Sequence, residues 1–230
     1  MPQKLSSLLV THQERFSLGK MTNPVRGFLH GGAAVASIVG IVVLVLSGSS
    51  IGSRLALAVF GLGLLTLYTV SSLYHAVPWK EQSKQVMQRL DHSAVFVLIA
   101  ASYTPIAVIA FDGWLSWVTL AVAWGITLFA ASQHAFFPRQ EQTLSIALAV
   151  TLGWLGAALA IPIFQVLGVT ALALIGIHGL LYTVGVVFMI TGWPRLWPRV
   201  FSAHEVFHVL TLVAGGIMFY VTLRYVAPLA

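Results

Sequence analysis

Three short runs place chemically capable side chains at helical spacing. Ser71 and His75 stand four residues apart in Ser71-Ser72-Leu73-Tyr74-His75, Arg89-Leu90-Asp91-His92 carries a carboxylate into an apolar stretch, and His204 and His208 repeat the four-residue spacing in His204-Glu205-Val206-Phe207-His208. Residues four apart on an α-helix project from one face, so each pair can address a single point. Two imidazoles at i and i+4 reach one metal ion. With His75 they give three nitrogen donors, the composition of a zinc site with an open fourth position. The chain has no Cys, which removes thiolate ligands, Cys nucleophiles and disulfides and leaves His, Asp and Glu to hold any metal. Neutral imidazoles would leave the charge of a dication to be balanced by a carboxylate such as Asp91.

The elements that must carry these residues are membrane helices. Hydrophobic residues make up 58% of the 230 and charged residues only 8%, against about a quarter in an ordinary soluble domain. A helix needs about 20 apolar residues to cross the bilayer core, with its backbone polar groups satisfied internally. Seven stretches free of Asp, Glu, Lys and Arg meet that requirement: Phe28 to Leu46, Leu55 to Tyr74, Ser93 to Phe111, Trp114 to Ala131, Leu144 to Phe164, Val166 to Ile190 and Val206 to Leu223. The predicted fold is an all-α bundle of seven transmembrane helices over 28–224, after a cytoplasmic segment 1–27 and before an external tail 225–230. Tight turns are expected at Asp112-Gly113 and between Pro162 and Gly168. The Leu5–Val10 stretch, followed by His12, Glu14 and Arg15, is too brief for the core of a signal peptide.

Orientation follows from the distribution of Lys and Arg, which accumulate on the cytoplasmic side. Lys4, Arg15, Lys20, Arg26, Lys80, Lys84, Arg89, Arg139, Arg195 and Arg199 fall on one side, ten in all, and only Arg54 and Arg224 on the other. This predicts a cytoplasmic N-terminus and, after an odd number of crossings, an external C-terminus, in the inner (plasma) membrane of the cell. Trp79, Trp114, Trp193 and Trp197 fall at the predicted interfaces. The same dispersed charges form no basic stripe, so the net charge of +6 does not indicate a nucleic-acid partner. The topology also puts the end of span two and the beginnings of spans three and seven at one depth in the cytoplasmic leaflet. His75, Asp91, Ser71, His204 and His208 therefore share a level in the membrane.

Each of these residues also has a plainer reading. A His pair near an interface can snorkel or bond to neighbouring carbonyls. Ser71 can serve as a helix-packing hydroxyl, and Asp91 can cap the start of span three, where the helix dipole favours an acid. His30, His92 and His134 fall near the same boundary, so depth alone does not select ligands. His134 reads as a boundary residue and His178, in mid-span six, as an internal hydrogen-bonding residue. Gly61, Gly63, Gly215 and Gly216 read as close-packing positions.

Taken in order, Asn23 to Gly31 (NPVRGFLHG), Ser71 to His75 (SSLYH), Arg89 to Pro105 (RLDHSAVFVLIAASYTP), Gly179 to Gly185 (GLLYTVG) and Ser202 to Val209 (SAHEVFHV) resemble the hemolysin III family. That family is the bacterial branch of the progestin and adiponectin receptor superfamily and is related to alkaline ceramidases. The resemblance implies that His75, His204 and His208 bind zinc, that Asp91 holds a water at the metal, and that Ser71 lies beside it. His204-Glu205-Val206-Phe207-His208 also fits the H-E-x-x-H signature of zinc proteases, in which the Glu is a general base. No His, Asp or Glu follows His208 to supply a downstream ligand, and a neighbour of His204 points about 100° away around the helix.

Two classes of function are compatible with these residues. One is a zinc-dependent hydrolase of an amide or ester bond in a membrane lipid that enters from the cytoplasmic leaflet, with Asp91 and Ser71 as its catalytic groups. The other is a non-catalytic membrane sensor or regulator with structural zinc, with a cytolytic variant suggested by the family's name. The chain has no amphipathic pore-forming segment and no excess of charged pore-lining residues. The resemblance implies a role in membrane lipid or energy homeostasis and identifies no protein partner.

Overall fold

The computed structural model describes residues 18, 21, 23–136, 142–197 and 200–230, and the described chain is built of helices. Most of the N-terminal segment, with Lys4, Arg15 and Lys20, and also Arg139 and Arg199, lies outside the described residues. Helix α1 (Pro24–Ser47) starts at Pro24 rather than Phe28, because proline's fixed φ suits the first helical turn. Helix α2 (Ile51–Ala76) opens with Ser50 accepting a bond from the Ser53 N–H at 3.1 Å, while the Ser53 hydroxyl oxygen accepts from the Ser50 N–H at 3.1 Å. In the intervening turn Arg54 Nε donates to the Gly48 carbonyl at 2.9 Å, giving a partner to a carbonyl just past the end of α1.

Helix α3 (Glu81–Pro105) begins at Glu81, well before the expected Ser93. Apolar windows see only the part of a helix that lies in lipid, whereas its first turns are polar, exposed and still helical. Asp91 consequently sits inside the helix, and the reading of Asp91 as the cap of this span is corrected by the backbone. After Pro105 the helix widens into a π-helical turn, Ile106–Ala110, and Gly113, at φ 60°, starts α4 (Gly113–Phe136). Helices α5 (Gln142–Gly153), α6 (Leu155–Ala158) and α7 (Ala160–Thr191) follow. At Gly168 the backbone of α7 leaves helical geometry (φ 82°, ψ 174°), a conformation open to glycine and strained for other residues. This is one of the two positions at which the sequence predicts a turn. Helix α8 (Ala203–Val221) continues through a π-helical turn, Thr222–Val226, and a 3-10 turn, Ala227–Leu229, beyond the expected end at Leu223. Val226 and Ala227 are buried, which anchors this last stretch.

Among the described residues, six helical stretches are long and apolar enough to cross a membrane: Pro24–Ser47, Ile51–Ala76, Glu81–Ala110, Gly113–Ala135, Ala160–Thr191 and Ala203–Leu229. Leu144–Ala158 is a shorter apolar stretch. The third is the innermost, with 67% of its apolar window buried against 17% for the first. Phe60, Leu64, Phe96, Leu98, Ile106 and Met218 form the core between α2, α3 and α8. Val35, Ile38 and Val39 on α1 and Trp117 and Leu128 on α4 are exposed, an arrangement suited to lipid and unfavourable in water by about 25 cal/mol per Å². Helices α1 to α4 pack in chain order, α7 packs on α8, and α8 returns to α1. That return brings the end of α2, the beginning of α1 and the beginning of α8 together.

Close packing accounts for three of the four glycines singled out in the sequence. A Cβ at Gly61 would meet Ile41 at 2.6 Å, one at Gly63 would meet Ala101 at 2.7 Å, and one at Gly215 would collide with the Tyr68 hydroxyl. Gly216 has open space instead.

Candidate metal centre

Each helix end that carries a candidate ligand is fixed by its own local bonds. At the start of α8, Glu205 Oε2 accepts from the Ser202 N–H at 2.9 Å and from the Ser202 hydroxyl at 3.1 Å. This ties down the first turn, which holds His204, and places His208 one turn later. At the end of α2, Val77 N–H bonds the Leu73 carbonyl at 3.1 Å and Trp79 Nε1 bonds the same carbonyl at 2.9 Å. His75 is therefore held in the last turn of its helix. Its carbonyl accepts from the Asn23 N–H at 3.1 Å, which joins the end of α2 to the start of α1.

His75, His204 and His208 converge. Each offers a ring nitrogen, and these atoms all lie within 4.8 Å of one another. The ring centroids are 5.0 Å apart for His75 and His204, 4.8 Å for His75 and His208, and 4.9 Å for His204 and His208. Nitrogens bound to one tetrahedral zinc at ~2.0–2.1 Å stand roughly 3.4 Å from each other, so small ring rotations would close the set on an ion. His208 supplies an independent sign of fit: its Nε2 is buried and has no protein partner. An unpaired polar atom at such depth is costly unless a ligand satisfies it. The donor set can hold a metal ion.

Ser71, buried at 2% exposure, lies one turn before His75 on α2, and its hydroxyl and the Asp91 carboxylate of α3 face one another. Asp91 is only partly buried. Tyr74 lies within electrostatic reach of both Asp91 and Arg26. The structure thus brings the acid and the hydroxyl named from the sequence together, one turn along α2 from His75.

Arg26, Glu205 and His30 also take part in this assembly, in contacts that the sequence reading did not anticipate. Arg26 Nε meets Glu205 Oε1 at 2.6 Å in a buried ion pair. Glu205 is thereby turned toward α1 and its own helix cap, an arrangement unlike that of a protease general base. His30 Nε2 lies 2.9 Å from His208 Nδ1, with the two rings 4.1 Å apart. Arg26 and His30 are themselves four residues apart on α1, opposite Glu205 and His208 on α8. The spacing rule that picked out Ser71 with His75 and His204 with His208 would have found them had it been applied to a mixed Arg and His pair.

The remaining histidines serve other contacts. His178 Nδ1 lies 2.9 Å from the Ala214 carbonyl, as expected for an internal hydrogen-bonding residue. His134 is buried between Ser93 and Ser145, with Nδ1 3.1 Å from one hydroxyl and Nε2 2.9 Å from the other, so it links α3, α4 and α5. The His92 ring lies 5.9 Å from that of His134, away from the three-imidazole cluster.

Comparison with known proteins identifies the family. The chain is 30% identical over 224 residues to Hemolysin-3 of Bacillus cereus, covering 96% of this chain and 98% of that protein. It is 30% identical over 199 residues to the Hemolysin-3 homolog of Bacillus subtilis (strain 168), covering 85% and 90% respectively. It is also 24% identical over 210 residues to the human monocyte to macrophage differentiation factor, covering 86% of this chain and 82% of that protein. The Haemolysin-III related family matches residues 19–220. With six helices of membrane-crossing length among the described residues and this match over most of its length, the chain is a multi-pass membrane protein that belongs to the hemolysin III family.

Proposed function

We propose that His75, His204 and His208 hold a zinc ion and that the protein is a zinc-dependent hydrolase of an amide or ester bond in a membrane lipid. The observation that carries this reading is the convergence of three imidazoles, one with an unpartnered buried nitrogen, on a helix cluster that also presents Ser71 and Asp91. Three nitrogen donors leave room for a water or a substrate carbonyl. Zinc, when bound, supplies Lewis acidity at a carbonyl and lowers the pKa of water. The protein's own groups handle the proton. Asp91 accepts it from the attacking water, and the water oxygen ends on the acyl carbon. The bond to the leaving nitrogen or oxygen breaks, and Asp91 returns the proton to that group. Ser71 orients the Asp91 carboxylate and the water, or the developing oxyanion.

The topology belongs to the same proposal. Reading α5, α6 and α7 up to the break at Gly168 as one crossing, and the rest of α7 as the next, gives seven crossings. The N-terminus is then cytoplasmic and the C-terminus external in the inner (plasma) membrane, which sets the site in the cytoplasmic leaflet where a lipid can enter. Purified, zinc-loaded protein should release fatty acid or amine from ceramides or other acyl lipids. Absence of turnover across such a panel would overturn the hydrolase reading. The alternative is a membrane regulator in which the ion braces helices, and it draws on the ties of α1 to both ligand-bearing helices.

A further inference from the structure

We infer that His30 is a positioning residue for the metal centre: it fixes the tautomer and ring orientation of His208. The inference rests on the reading of His75, His204 and His208 as zinc ligands. The geometry is a short contact between two ring nitrogens, His208 Nδ1 and His30 Nε2, 2.9 Å apart, with both side chains 2% exposed. A hydrogen bond between two neutral imidazoles carries one proton, on one nitrogen or the other. If His30 Nε2 carried it, His208 would have to keep its own proton on Nε2 and would have no lone pair there to offer a metal. If His208 Nδ1 carries it, His208 Nε2 is a free donor atom, buried and without a protein partner. Ligation therefore selects one direction: His208 Nδ1–H donates, His30 Nε2 accepts, and the proton of His30 resides on Nδ1. That nitrogen too is buried and without a protein partner.

The His30 ring is held in place for this task. It meets the Tyr68 ring edge to face at 5.2 Å, and one turn earlier on α1 Arg26 pairs with Glu205 at 2.6 Å, which sets the register of α1 against α8. A ligating imidazole whose second nitrogen is bonded to a fixed acceptor is already oriented and is a better donor, and loss of such a partner costs about 10- to 100-fold in metal affinity. Helix α1 thus supplies no ligand of its own and still sets the strength of the site.

Two measurements test this. The first compares His30→Gln, which keeps an acceptor oxygen, with His30→Leu, which fills similar space without one, by zinc competition against a chelator in detergent. His30→Leu should bind zinc about 10- to 100-fold more weakly, and His30→Gln should stay within a few-fold of the unsubstituted protein. Equal affinity in all three would overturn the inference, as would equal weakening in Gln and Leu. The second needs no substitution: ¹⁵N chemical shifts of His30 in the zinc-loaded protein should show a protonated Nδ1 and an unprotonated Nε2. A protonated Nε2 would contradict the assignment. His75→Ala separates the two readings. If it abolishes zinc binding while His30→Leu leaves it intact, only the role of His30 fails. If the unsubstituted protein binds no zinc, the metal-centre reading itself fails.

Discussion

Arg26 and Glu205 lie 179 positions apart in the chain, yet their side chains meet at 2.6 Å in a buried ion pair that pins the first turn of α1 to the first turn of α8. The two helices that this contact joins hold His30 and His208. The pair therefore fixes the relative placement of α1 and α8, on which the contact between His30 and His208 depends.

Removing one partner of a buried ion pair strands the other charge, which typically costs about 3–5 kcal/mol. Glu205→Gln and Arg26→Met should each lower thermal stability in detergent clearly. The double variant should recover a large part of the loss, because no unpaired charge remains. Thermal unfolding of the three variants checks this. If Glu205→Gln keeps full stability, the ion pair is not what holds α1 to α8.

Zinc content should approach one ion per chain, and His75→Ala, His204→Ala or His208→Ala should each remove most of it, since two imidazoles hold zinc far less well than three. Chelation should lower the melting temperature of the unsubstituted protein, because a bound ion would tie α2 to α8. Metal analysis and melting curves on the same preparations provide the check. Full zinc in His75→Ala would mean that α2 supplies no ligand.

Reporter fusions after Lys84 and Arg199 should behave as cytoplasmic and a fusion after Ala230 as external, as the ten-to-two distribution of Lys and Arg predicts. A cytoplasmic C-terminus would remove the seven-crossing topology and, with it, the reason for placing the site in the cytoplasmic leaflet.

The three histidines that converge were legible in the sequence because a four-residue spacing has one geometric meaning on a helix and because a His within an apolar stretch stands out from its surroundings. The same logic found Ser71 beside His75. Contacts between α1 and α8 were not legible in that way: nothing in local spacing says that Arg26 faces Glu205, since their pairing depends on α8 folding back against α1. The start of α3 was missed for a different reason. Hydropathy marks where lipid begins, whereas the helix Glu81–Pro105 extends through polar residues beyond it, and this moved Asp91 from a supposed helix start to a helix interior. The break at Gly168 was legible because a glycine between two long apolar runs is the residue best able to adopt φ 82°.

The most direct test of the hydrolase reading is a paired measurement of bound zinc and lipid turnover in Asp91→Asn and His208→Ala, purified from the same membranes. Asp91→Asn keeps the shape of the side chain and removes its charge and its capacity to accept a proton. The account predicts that it still folds and retains zinc, while its rate falls by about a hundredfold to ten-thousandfold, the usual cost of losing a general base. His208→Ala should lose both zinc and activity. An Asp91→Asn protein that is replete with zinc and turns over lipid at the unsubstituted rate would contradict the assignment of Asp91 as the proton acceptor and, with it, the catalytic account of the site.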